Sequence, residues 1–283
     1  MSDRGRWLAL AGVAAAGVIG LCAPVSAQDW QTLSQSRKFG SEEALKVNVE
    51  YGAGRLSIAP GTDEWLYRAD LRYDADVFKH PKMTYAHGAL NVGLSDGNVK
   101  GRNLKAGKLD LLLGTRVPLD INLKFGAAEA QLDLGGLLVR NATIQTGASQ
   151  TTLRVSRPNR IVCNALKMEV GAAKLEAIGL GNLNCEHLKL SGGVGEVTLD
   201  FSGSAKQDMT ADIEMGLGSL TLRIPRGTGL KVTKGGILAS FDSEGMVKRG
   251  DSFFSENWKT AQRHVTVEID AAFGSINVEW LDR

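Results

Sequence analysis

From Leu45 onward the chain alternates apolar and polar residues in short runs, and each run breaks at glycine before starting again. Aligned on those glycines, the sequence gives VEYGAGRLSI, LKFGAAEAQLDL, IQTGASQTTLRV, MEVGAAKLEAIG, LSGGVGEVTLDF, EMGLGSLTLRI and AAFGSINVEW. Period-two alternation is the signature of a strand with one buried face, and helix-period patterns are scarce. Gly126, Gly147, Gly171, Gly193 and Gly216 follow one another at intervals of 21, 24, 22 and 23 residues, with Gly52 marking the first copy and Gly274 the corner glycine of the last, two places after its mark. A period near 22 predicts a solenoid, in which each coil buries its apolar side only by stacking on its neighbours.

The register assigns an inward face. Four and six residues after the mark stand Leu56 and Ile58, Ala130 and Leu132, Val197 and Leu199, Leu220 and Leu222, and Ile276 and Val278. Three before it stand Ile144, Met168, Leu190 and Ile213, so each coil is expected to carry two strands meeting at a glycine corner. Two after the mark the residue is always small: Gly54, Ala128, Ser149, Ala173, Gly195, Gly218 and Gly274. Glycine there meets a need for positive φ or for close approach between coils. Nucleotide binding is excluded on context, because phosphate loops run from a strand into a helix and these glycines run into another strand. Polar positions obey the same register, with Asp133 facing Arg154, Asp200 facing Arg223 and Lys174 facing Glu196. Such exposed pairs fix register and contribute only about 0.2–1 kcal/mol each.

Two segments depart from the repeat. Residues 64–95 read as extra hairpins that concentrate Trp65, Tyr67, Tyr73 and Tyr85, a capping core or else a ligand-facing surface. The stretch DSFFSENWKTAQRHVTVEID, with Phe253, Phe254 and Trp258, is expected to loop over the last coil, because an open solenoid end needs cover.

The N-terminus sets the compartment. Arg4 and Arg6 precede an apolar run from Trp7 to Leu21, and Val25, Ser26 and Ala27 follow in small-x-small order, the pattern of a secretory signal cleaved after Ala27. The run falls short of the roughly 20 residues a spanning helix needs, and no later segment reaches that length, so the mature chain is expected to lack a transmembrane segment. A net charge of +2 over the whole chain argues against a nucleic-acid binder that works by neutralising phosphates.

Candidate chemistry is sparse. Cys163 and Cys185 lie 22 residues apart, each eight before its mark, which places them on adjacent coils. In an oxidising compartment they are expected to form a disulfide; a ladder of two buried thiols is the alternative. His80, His87, His187 and His264 show no metal-ligand spacing, and neither a cofactor nor a metal is expected. Glu129 and Glu196 share a register, as do Lys167 and Lys189, but Gln150, Ser219 and Thr143 occupy equivalent places, which describes a solvated face and not a lyase or hydrolase site.

YGAGRLSI, the segment ending TYAHGALNVGL, and VPLDINLKFGAAEAQLDLGGLLVRNATIQTGASQTTLRV resemble the N-terminal toast-rack domain family of bacterial envelope proteins, related to the LiaF-like proteins of the cell-wall-antibiotic response and to β-helical adhesins. The resemblance covers residues 45–157 and implies an all-β toast-rack solenoid without catalytic residues, acting in binding, scaffolding or regulation outside the cytoplasm. The expected organisation is a signal peptide (1–27), a polar N-terminal lead (28–44), an N-terminal toast-rack section (45–157), and further coils with a C-terminal cap (158–283). The expected function is a non-enzymatic solenoid presenting a surface to an envelope protein or glycan, in the periplasm or at the cell surface. A surface adhesin and a carbohydrate-active β-helix enzyme are the alternatives.

Overall fold

A glycine corner lets one extended run serve two sides of a coil, and long bent strands result. The computed structural model describes residues 29–78, 80–94, 107–235, 238–242 and 244–282, and the signal-peptide expectation lies outside them. The strands are β1 (Trp30–Lys38), β2 (Leu45–Pro60), β3 (Trp65–Asp74), β4 (Lys82–Ala86), β5 (Ala89–Leu94), β6 (Gly107–Leu113), β7 (Pro118–Asp133), β8 (Leu138–Thr146), β9 (Gln150–Arg154), β10 (Cys163–Ile178), β11 (Cys185–Asp200), β12 (Met209–Pro225), β13 (Gly229–Gly235), β14 (Leu238–Phe241), β15 (Met246–Arg249), β16 (Ser252–Ser255) and β17 (His264–Leu281). The sole helix among the described residues is α1 (Leu180–Leu183), so the protein is nearly all-β.

In the middle of the molecule β7, β8 with β9, β10, β11 and β12 stack in parallel in chain order. Ile144, Met168, Leu190 and Ile213 pair across successive coils and are buried, as are Leu132, Leu153, Ala177, Leu199 and Leu222 on the second side. A short third side closes each coil with Leu134 and Leu137, or Leu180 and Leu183, turned inward. The stack runs without interruption through residue 157, since β9 pairs with β10.

Both ends depart from simple succession. β2 pairs with β7 on one edge and with β5 and β6 on the other. β17 likewise lies between β12 and the pair β13 and β14. The described parts of the segments between Gly52 and Gly126, and between Gly218 and Gly274, are therefore folded outward as caps over the first and last full coils. Each cap then turns antiparallel: β6 carries β3 and then β1, and β13 carries β16 and then β15. Covering a regular parallel edge with short, charged antiparallel strands removes a template for edge-to-edge association.

The caps correct two expectations. Among the described residues of 64–95 only β4 and β5 form a hairpin, turning at His87 and Gly88 with φ of 49° and 73°, whereas β3 pairs with β1 and β6. Part of the 28–44 lead thus becomes β1, because β3 needs a partner on its free edge. In the C-terminal cap Ser252–Ser255 is a strand rather than a loop, with Phe253 edge-on to Phe241 at 4.7 Å and Phe254 edge-on to Trp258 at 5.4 Å.

Buried polar groups hold the third side. Asn159, 1% exposed, donates from Nδ2 to the carbonyls of Val139 (2.7 Å) and Leu183 (3.1 Å), while its Oδ1 accepts from the Ile161 amide (3.2 Å). One side chain thus ties three consecutive coils. Replacing Asn159 by alanine orphans both carbonyls and is expected to cost about 2 kcal/mol, measured by urea denaturation.

Candidate functional site

The glycine corners form a surface feature as well as a bend. A Cβ on Gly126 would come within 2.5 Å of the Gly52 carbonyl, and one on Gly216 within 2.6 Å of the Gly193 carbonyl, so close coil stacking requires glycine at these two corners. Bare backbone leaves a trough of about 730 Å³ along the corner, floored by Gly52, Gly126, Gly147 and Gly171. A further depression beside Gly193, Gly216 and Ala272 continues it toward the C-terminal cap.

One bank is polar. Two residues before the mark stand Glu50, Lys124, Gln145, Glu169, Ser191, Glu214 and Asp270, in register through β2, β7, β8, β10, β11, β12 and β17. Gln145 donates to Glu169 at 2.8 Å, and Lys189 lies 3.4 Å from Glu214. Across the corner Lys174 lies 3.3 Å from Glu196. Glu214 pairs with Asp270 and Asp212 with Glu268, so four carboxylates gather on β12 and β17.

Directly after the glycines that floor the trough, and outside its lining, the surface turns apolar. One residue after the mark the row runs Ala172, Val194, Leu217, Phe273 on adjacent strands. Val194 is 53% exposed, Leu217 48% and Phe273 51%. An outward ladder of aliphatic and aromatic side chains in register is an interaction surface in form. In the earlier coils the row is Ala53, Ala127 and Ala148, too small to draw notice. The available signal was in the corner sentences themselves, where GVG, GLG and AFG place an apolar residue before the second glycine.

The aromatic residues singled out from residues 64–95 do not form that surface. Tyr67 is 1% exposed and Tyr73 9%, and both belong to the core of the N-terminal cap. Tyr73 donates its hydroxyl to Gln31 at 3.1 Å. Trp65 and Tyr85 are half-buried beneath cations, with the Arg68 guanidinium 5.3 Å from the Trp65 ring and Arg37 4.4 Å from Tyr85. The reason is the alternation of β3, whose residues 67, 69, 71 and 73 point inward while Arg68, Asp70 and Arg72 point out. Arg37 also donates to Glu42 at 2.8 Å and holds that carboxyl below its ordinary range. At the trough's N-terminal end the Tyr51 hydroxyl is buried without a hydrogen-bond partner, and burial pushes its pKa up.

Cys163 and Cys185 are joined by a disulfide and are fully buried. Glu129, Glu196, Lys167 and Lys189 do not converge: Lys167 and Lys189 lie on one side of the corner, Glu129 and Glu196 on the other. Arg223 pairs with Glu279 (2.8 Å) and Glu176 (3.5 Å) instead of its cross-strand neighbour Asp200. Among the described residues no group of His, Cys, Asp and Glu could hold a metal ion, and no helix is long and apolar enough to cross a membrane.

A family profile of the N-terminal domain of toast_rack, DUF2154, matches residues 25–164 and 158–223. The chain belongs to this family. The toast-rack coils are similar in fold to a "putative cell adhesion protein" from Clostridium sporogenes ATCC 15579, at 18% identity over 89% of this chain and 100% of that one, with a TM-score of 0.48. They are similar too to a "putative adhesin" from Bacteroides fragilis NCTC 9343, at 11% identity over 88% of this chain and 97% of that one, TM-score 0.40. A "putative lipid binding protein" from Parabacteroides distasonis ATCC 8503 is 12% identical over 88% of this chain and 96% of that one, TM-score 0.30. No curated protein matches the chain in sequence.

Proposed function

We propose that this toast-rack protein is an exported, non-enzymatic binding protein of the bacterial envelope that holds a partner along its corner trough. The observation that carries the reading is the ladder of Val194, Leu217 and Phe273, each about half exposed and stacked in register beside the trough. An apolar row bordered by a polar bank has the composition of a recognition surface, apolar at its centre and polar at its rim. The polar groups support binding over chemistry, since Lys189, Lys174 and Gln145 each spend their donors on a neighbouring coil.

Co-sedimentation of the mature protein with isolated cell envelopes tests this. Serine at all three ladder positions is expected to lower the bound fraction at least about tenfold with the fold intact by circular dichroism. Unchanged binding would overturn the assignment of the surface. Proteolysis of intact cells then separates an outward-facing adhesin, which is cleaved, from a periplasmic scaffold, which is protected.

A further inference from the structure

We propose that the occupant of the C-terminal half of the trough is a cationic amphipathic helix lying along the solenoid axis. The inference rests on the reading of the trough as a binding face and names the chemistry of its partner. Its first support is spacing. Parallel strands recur about every 4.8 Å, a helix turn rises about 5.4 Å, and side chains on one face of an extended strand recur about every 6.7 Å. Over the two steps from Val194 to Phe273 a helix stays within about 1 Å of the ladder, whereas an extended strand runs out of step by about 4 Å. Helical anchors at i, i+4 and i+7 therefore meet successive rungs.

Charge is the second support. On the outward faces of β10, β11, β12 and β17, either side of the corner, six carboxylates (Glu169, Glu196, Asp212, Glu214, Glu268, Asp270) outnumber three lysines (Lys167, Lys174, Lys189), and Asp212, Glu214, Glu268 and Asp270 line one shared depression. Lys174 and Lys189 are already engaged with Glu196 and Glu214, which leaves Asp212, Glu268 and Asp270 without an ion-pair partner among the described residues. A ligand with lysine or arginine flanking an apolar stripe satisfies both surfaces at once. A second copy presenting the same face would set carboxylates against carboxylates, and a nucleic acid would be repelled outright.

The test is fluorescence anisotropy of the mature protein with a labelled Leu/Lys peptide of about 14 residues, about four turns, with leucines at helical spacing. Leu217→Ser and Phe273→Ser are each expected to weaken binding about fivefold, the effect of losing half a buried apolar side chain. Glu214→Gln with Asp270→Asn is expected to weaken binding and flatten its salt dependence. A Leu/Glu peptide of the same pattern is expected not to bind, and a Leu/Lys peptide alternating with period two to bind at least about tenfold more weakly. Equal binding of the period-two peptide, serine variants indistinguishable from the parent, or no binding of the helical peptide would overturn the proposal. If the peptide fails while envelope binding still depends on the ladder, the helix falls and the binding face stands; preference for an oligosaccharide in the same trough would likewise remove the helix alone.

Discussion

Replacing Gly218 by alanine is expected to destabilise the protein by at least about 4 kcal/mol, lowering Tm by about 8–16 °C for a chain of this size. Two costs add. Gly218 has φ of 142°, outside the range that L residues adopt, which alone costs on the order of 1–3 kcal/mol. A Cβ at this position would also stand 1.8 Å from the Gly195 carbonyl oxygen, a backbone atom fixed by the parallel ladder on both sides. Relief would require β11 and β12 to separate, and the carbonyls and amides between them would lose their partners. Gly195 and Gly274 share the conformation, with the same contact at 1.9 and 1.8 Å, and should respond alike. Gly227→Ala is the control: a Cβ there meets nothing within 4 Å, and the change should stay within about 0.5 kcal/mol. Thermal melts of the three proteins check the ranking, and equal Tm values for Gly218→Ala and the parent would contradict the argument.

This row shows how far the amino-acid pattern reaches. Small residues two after each mark were legible in every coil, yet the backbone there takes two forms. Gly54, Gly195, Gly218 and Gly274 have φ between 131° and 149°, whereas Ala128, Ser149 and Ala173 are not among the positive-φ residues. Residue size alone does not distinguish the forms. The inward ladders and the pairing of Cys163 with Cys185 follow from a constant period, and a period is a local property that survives in sequence. The caps were not legible for the same reason. Nothing in VEYGAGRLSI says that β6, later in the chain, pairs on one side of it and β7 on the other, because both edges of a strand offer the same backbone donors and acceptors to any extended partner. The apolar row beside the trough was hidden by register: Val194 and Leu217 stand between glycines and Phe273 between Ala272 and Gly274, and an apolar residue at a corner looks like core until the backbone shows that two consecutive residues face outward. Tyr67 and Tyr73 failed in the opposite sense. Their alternation with Arg68 and Arg72 placed them inward, and their aromatic character alone had suggested a ligand.

Removing the disulfide by the paired change Cys163→Ala and Cys185→Ala is expected to cost about 3 kcal/mol, the loop-closure entropy released to the unfolded chain by a 22-residue loop. The Tm should fall by about 6–12 °C. The bridge joins β10 to β11 at the first residue of each, beside α1 and Asn184, so it fixes where one coil hands over to the next. The backbone ladders of a solenoid join only neighbouring coils, and the loss should therefore be local before it is global. Hydrogen exchange should quicken in residues 163–200 of the variant while β2 and β7, separated from β10 by the coil of β8 and β9, keep their protection. Both sulfurs are buried, so a reductant added to the folded protein should act slowly, at a rate set by local opening, and quickly once denaturant is present. Mass spectrometry of tryptic peptides without reduction should show the two cysteine peptides joined. Free thiols at both positions, or a paired variant that melts with the parent, would mean that the close stacking of these coils is held by the carbonyl and amide ladder alone.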